Sequence, residues 1–198
     1  MRANANSPFH VVRRCLGARP WEASVKKAKR SAKKKIGKRS NDAALREQLV
    51  ALLSGGHAHA KFADAITDFP AEKRGMLAEN LPYTAWQLLE HLRIAQWDIL
   101  EFSRNSKHES PKWPDDYWPK SAAPADAATW DKSVAGFEKN LGEMIILVKN
   151  PKSDLYAKIP HGDGQTILRE ALLLADHNSY HLGQLVLVRK ALGAWAKA

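Results

Sequence analysis

Two histidines near the end of the chain, His177 and His181, have the spacing of a metal-binding pair. Residues four apart on an α-helix lie on one face, one turn from each other, so both imidazoles could reach a single ion. The apolar period around them places Leu174, Gln184 and Val188 on the same face, which we expect to point towards other helices. Burying an unpaired polar group costs about 1–3 kcal/mol, and a shared metal ion would satisfy both rings at once.

A third imidazole is available at His91, on the apolar face predicted for another helix. Three histidines from two helices leave a coordination position open for water or substrate, as in catalytic zinc sites. The alternative is structural, because the His-x-x-x-His spacing is common and a single buried histidine usually bonds to a carbonyl group. No Glu follows His177, so the His-Glu-x-x-His protease motif is absent. The spacing leaves both interpretations open.

Four segments with a helical apolar period must position these histidines. The first begins after Asp42, follows a continuous stripe that includes His59, and ends before Pro70. The second opens with the capping box Thr84-Ala-Trp-Gln87 and carries His91. We predict one long helix from each of these segments.

The third helix is predicted to begin near Asp126 and to end at Asn150-Pro151. The fourth runs from Thr166, a good N-cap, to Gly193, and contains the histidine pair. Strand alternation and internal repeats are not evident. The sequence therefore predicts an all-α four-helix bundle, with a long loop at residues 105–124 between the second and third helices. The aromatic stretch 113–119 of that loop is expected to pack over one end of the bundle, or to act as a lid.

Four other features near these helices are smaller candidates. His59 is either a fourth ligand or base lining the cavity, or a bonded core histidine. Glu90 and Asp176 each precede a proposed ligand and could orient an imidazole on a neighbouring helix, although most such acids are merely solvated. The segment 161–166 could hold an anion at a helix N-terminus, but a plain turn and cap is the better interpretation.

The charge of this 198-residue chain is concentrated at one end. Residues 1–40 hold thirteen of the 31 Lys and Arg residues but only one of the 21 Asp and Glu residues, so their net charge is +12. The rest of the chain has a net charge of −2, which gives the total of +10. We therefore predict a basic, low-complexity and mostly disordered tail at 1–41 and a bundle domain at 42–198. The tail is a solvated segment with weak, non-specific attraction to nucleic acid, a tether to nucleic acid or an anionic surface, or a cleaved targeting peptide.

Some classes of protein are excluded by composition. A transmembrane protein is excluded because no apolar run approaches about 18 residues. The single cysteine, Cys15, excludes an internal disulfide and any multi-cysteine metal cluster. We expect a cytoplasmic protein.

The region from about residue 45 to 195 resembles the DinB/YfiT-like proteins, a bacterial family of four-helix bundles that includes metalloenzymes. The resemblance is carried by His91 in the second helix and by His177-x-x-x-His181-x-Gly183-Gln184 in the fourth. It implies that His91, His177 and His181 bind a divalent metal, with zinc, nickel, iron and manganese as candidates. It also implies a homodimer and, as in some relatives, activation of a small thiol for transfer or isomerisation.

Three hypotheses about function follow from the sequence. The first is a metal-dependent transferase or hydrolase, in which the three-histidine centre activates water or a thiol of a small-molecule substrate. The second is a bundle that binds a metal or small ligand without catalysis. The third is a nucleic-acid-associated protein that acts through its basic tail, because the slightly acidic bundle has no recognition motif.

Overall fold

A computed structural model describes residues 41–195, and their regular structure is helical. The α-helices are α1 at residues 41–54, α2 at Phe62–Ile66, α3 at Ala85–Arg104, α4 at Ala127–Lys149 and α5 at Ile167–Ala191. Short 3₁₀ turns lie at Ala71–Lys73 and Asp115–Tyr117. The predicted all-α class is confirmed. The basic tail predicted at 1–41 lies outside the described residues except for residue 41, as does Cys15.

The capping residues predicted from sequence start α3, α4 and α5. Thr84 accepts a hydrogen bond from the Gln87 backbone, and the Gln87 side chain accepts one from the Thr84 backbone, so the capping box of α3 is complete. Asp126 caps α4 and Thr166 caps α5, each through its side-chain oxygen. These local bonds satisfy amide groups that have no partner within a helix, which fixes where each helix begins.

The first predicted helix was wrong in its length. The structure divides it into α1 and α2, with residues 55–61 between them. Gly55 and Gly56 adopt φ angles of +67° and +83°, which side chains of L-residues rarely tolerate and which end a right-handed helix. The apolar stripe continues across Gly55 and Gly56, but these two glycines end α1. As a result His59 lies in the connection and is exposed, not on an interior helix face.

Helix α3 lies between α4 and α5 and packs against both. One apolar cluster joins α3 and α5 to α2 through residues such as Trp86, Leu185 and Ile66. A second cluster joins the other end of α3 to α1, α4 and α5, and consists of Leu49, Leu53, Leu100, Met144, Val148, Leu155, Ala171, Leu174 and Ala175. The two clusters hold α3 and α5 side by side. Among residues 41–195 no helix combines the length and hydrophobicity needed to cross a bilayer.

Candidate metal centre

The three histidines singled out by their spacing meet between α3 and α5. His91 comes from α3, and His177 and His181 come from successive turns of α5. The Nε2 atom of His91 lies 3.1 Å from Nε2 of His177 and 3.2 Å from Nε2 of His181. One ring nitrogen from each residue lies within 4.8 Å of the others. The predicted convergence of the three rings is thus present in the fold.

These separations suit a shared ion. Nitrogen ligands about 2.1 Å from an ion lie about 3.4 Å apart in a tetrahedral shell and about 3.0 Å apart in an octahedral one. The two observed separations, 3.1 and 3.2 Å, lie between those values. The cluster could therefore hold one metal ion without a large rearrangement of α3 or α5.

The hydrogen bonds of the outer nitrogens determine where the protons are. Nδ1 of His91 lies 2.9 Å from the Tyr117 carbonyl oxygen, and Nδ1 of His181 lies 2.7 Å from Oε1 of Gln184. Both partners are acceptors, so each Nδ1 carries the proton when its imidazole is neutral. The two Nε2 atoms then face each other at 3.2 Å, each with a lone pair and no proton between them. A cation between them would replace this repulsion with attraction.

His177 has a different environment. Its Nε2 also points at the Nε2 atom of His91, while its Nδ1 is buried without a hydrogen-bond partner. Buried polar atoms normally have partners, and those that do not are often explained by an ion or ligand. The buried Nδ1 atom without a partner thus distinguishes His177 from an ordinary bonded core histidine.

Burial keeps the three rings neutral at physiological pH. Burial lowers the pKa of His91 to about 4, although the bond to Tyr117 opposes this and a charged His181 would add to it. Burial, followed by repulsion from charged His181 and His91, lowers the pKa of His177 to about 4. Burial also lowers the pKa of His181. Neutral imidazole is the form that binds metals, so the site is ready to act as a ligand set near pH 7.

Two aromatic residues, Tyr83 just before α3 and Trp118 between α3 and α4, cover one side of this centre. The Trp118 ring stacks on His91, with the ring centroids 3.9 Å apart and the planes 3° from parallel. The Tyr83 ring in turn stacks on Trp118, with the ring centroids 4.3 Å apart. Trp118 also meets His181 edge-on. These rings fix the orientation of two of the three imidazoles and shield one face of His91 from water.

The other sequence candidates do not join the cluster. His59 is exposed, and its Nδ1 contacts the Ala60 carbonyl oxygen. The alternative of a core histidine was therefore wrong, and His59 lies outside the three-histidine group in which a fourth ligand would belong. Glu90 accepts hydrogen bonds from Arg93 and Ser133, not from an imidazole. Burial alone would raise the pKa of Glu90, but these bonds outweigh it and the pKa lies below its usual value. Asp176 is exposed on α5.

The groups that orient the imidazoles are the Tyr117 carbonyl and the Gln184 amide, and neither role was predicted from the sequence. Gln184 lies three residues after His181, a spacing at which helical side chains touch, so its role could have been inferred locally. Tyr117 is 26 residues from His91 and acts through its backbone. Only the fold identifies the role of Tyr117.

His161 donates a hydrogen bond to the Phe102 carbonyl, consistent with the predicted plain turn at 161–166.

Comparisons with known proteins find no matching family model and no match among curated proteins or solved structures. The resemblance to the DinB/YfiT-like family stays a prediction from the residues. The described residues establish an all-helical fold and a three-histidine group that could hold a metal ion.

Proposed function

We propose that this chain is a DinB-like metal-binding protein, a four-helix bundle in which His91, His177 and His181 hold one divalent ion. The observation that carries the proposal is the convergence of three ring nitrogens, with Nε2 of His177 and Nε2 of His181 lying 3.1 and 3.2 Å from Nε2 of His91. Imidazole ligands suit zinc, iron and nickel, and manganese is the fourth candidate.

The proposed activity is that of a metal-dependent transferase or hydrolase acting on a small molecule. When bound, a divalent ion supplies Lewis-acid chemistry that activates water or a thiol near neutral pH. Three protein ligands leave room for a substrate group, as catalytic sites require. The chain's own residues do the rest: Tyr117 and Gln184 hold two rings in place, and Trp118 shields His91 from water.

Metal analysis tests the ligand set. Protein purified without a His tag or chelator is expected to contain about one ion per chain, as measured by inductively coupled plasma mass spectrometry. The double variant His177→Ala/His181→Ala should lose the ion. The matched control is His57→Ala/His59→Ala, which removes two exposed imidazoles. Full metal content in the first variant would reject the site.

Catalysis needs a separate test, because a metal site can also be non-catalytic. Metal-free and metal-reloaded protein would be compared on a panel of thiol-transfer and hydrolysis substrates. We expect turnover that appears with the metal and is absent from the His177→Ala/His181→Ala variant. Equal rates with and without metal across the panel would leave a binding protein as the function. Sedimentation would test the homodimer that the resemblance implies.

A further inference from the structure

Asp98 lies on α3, seven residues or about two turns after His91, close to the same side of the helix. Its carboxylate binds two side chains of the segment between α3 and α4. Oδ2 accepts a hydrogen bond from the Tyr117 hydroxyl at 2.6 Å, and Oδ1 lies 2.7 Å from Nε2 of His108. Asp98 thus ties this segment to the helix that carries His91.

Tyr117 is attached to α3 at two points. Its hydroxyl binds Asp98, and its backbone carbonyl accepts the hydrogen bond from Nδ1 of His91 at 2.9 Å. The residue is buried, and burial followed by the contact with Asp98 raises the pKa of its hydroxyl. The hydroxyl therefore stays protonated and stays a donor. Two fixed points determine where the carbonyl oxygen points.

The attachment of Tyr117 to α3 also places the neighbouring Trp118 ring against His91. Trp118 follows Tyr117 directly, and its indole is nearly parallel to the His91 imidazole. His108, the second partner of Asp98, is almost completely buried and meets Trp97 edge-on at 5.0 Å. One carboxylate therefore organises both the hydrogen bond and the stacking contact of His91.

We propose that Asp98 is a positioning residue that acts on His91 through Tyr117. By holding the Tyr117 side chain, it keeps the backbone carbonyl where it fixes His91 as the Nδ1–H tautomer and leaves Nε2 free as a ligand. The consequence for metal binding rests on the proposed function. The consequence for the tautomer does not, because it is a property of the metal-free protein.

The test measures both consequences in the same variants. Nitrogen-15 NMR of the metal-free protein should show His91 as the Nδ1–H tautomer, and Asp98→Ala and Tyr117→Phe should each give a mixture of tautomers. Calorimetric titration with Zn²⁺ should give about tenfold weaker binding in both variants, as for loss of a partner of a metal ligand. Asp98→Asn keeps an acceptor for the Tyr117 hydroxyl and should restore most of the affinity.

Two further variants separate positioning from general stabilisation. The double variant Asp98→Ala/Tyr117→Phe should bind Zn²⁺ no more weakly than either single variant, because the two groups form one chain of contacts. Glu101→Ala removes another carboxylate of α3, which binds Arg104. It should change neither the tautomer nor the affinity.

Each remaining outcome decides the inference. An unchanged His91 tautomer in both Asp98→Ala and Tyr117→Phe would overturn it, even if Zn²⁺ binding fell, because that fall would then reflect a loosened fold. A shifted tautomer in a protein whose wild type binds no Zn²⁺ would support the positioning role and reject the proposed function.

Discussion

Arg46 and the three-histidine cluster both lie in the interior, but their side-chain nitrogens differ in whether the fold supplies hydrogen-bond partners for them. Arg46 on α1 is buried, and its guanidinium donates to the carbonyl oxygens of Val148, Asn150 and Ser153 at 2.6, 2.9 and 2.8 Å. These carbonyls lie at and just after the end of α4, where they have no partners within the helix. The positive charge also suits the negative end of the helix dipole. Arg46 thus matches donors to acceptors.

The histidine cluster does the reverse. His91 and His181 bring two lone pairs together, and His177 has a buried nitrogen without a partner. Burial of a polar group is therefore not by itself a sign of function. A buried group whose partners are all supplied by the fold stabilises the protein, whereas acceptors that converge on each other are arranged as ligands for a cation.

The largest expected effect is the loss of folding stability when the donors of Arg46 are removed. Arg46→Met keeps much of the side-chain volume but removes the guanidinium donors from the three carbonyls, of which, among residues 41–195, only that of Asn150 keeps a second donor, the Ser153 amide. We expect the free energy of unfolding to fall by about 3–4 kcal/mol. Urea denaturation of metal-free protein would measure this change, with Zn²⁺ stoichiometry unaltered. Arg104→Met, which removes two partly exposed ion pairs, with Glu101 and Glu143, is the control and should cost less than about 1 kcal/mol. Equal losses in both variants would remove the contrast with the histidines.

The pH dependence of stability tests the histidine cluster, beginning with His91. In the folded, metal-free protein the pKa of His91 is about 4, below its ordinary value of 6.5. The unfolded chain therefore binds more protons between these pH values, and stability should fall as the pH drops from about 6.5 to about 4, by at most about 3 kcal/mol for this ring. Denaturation across this range would measure the slope. His91→Gln should make the slope shallower and leave the part that His177 and His181 contribute, because burial lowers the pKa of those rings too. An equally steep slope in that variant would assign the whole effect to other groups.

A smaller effect is expected from the partner of His181. Gln184→Ala removes the acceptor for the Nδ1 proton, and Zn²⁺ affinity should fall about tenfold. Gln184→Glu retains an acceptor and should bind close to the wild-type affinity. Calorimetric titration would measure both variants. If Gln184→Ala bound Zn²⁺ as tightly as wild type, the hydrogen bond would have no part in fixing the ring.

The smallest effect is expected at His59, which the apolar stripe placed inside the protein and the fold places in an exposed connection. His59→Ala should leave Zn²⁺ affinity unchanged and alter the free energy of unfolding by less than about 0.5 kcal/mol. A clear loss of metal would show that His59 contributes to metal binding and would contradict its position outside the cluster.

The helices that were predicted well are those with side-chain caps. Thr84, Asp126 and Thr166 each bond to a backbone amide three residues further along, so sequence alone determines these starts. The first helix was predicted too long because its apolar period continues across Gly55 and Gly56. A period reports which side chains share a face, but only the backbone angles show that the chain turns there.

The site divides in the same way. The sequence by itself determined that His177 and His181 share one face of a helix, because a spacing of four is a property of the helix geometry. Only the tertiary structure decided that His91, 86 and 90 residues away, meets them, because packing of α3 against α5 sets that distance. It also decided the tautomer of His91, since the carbonyl of Tyr117 that accepts its proton is placed by contacts distant in sequence.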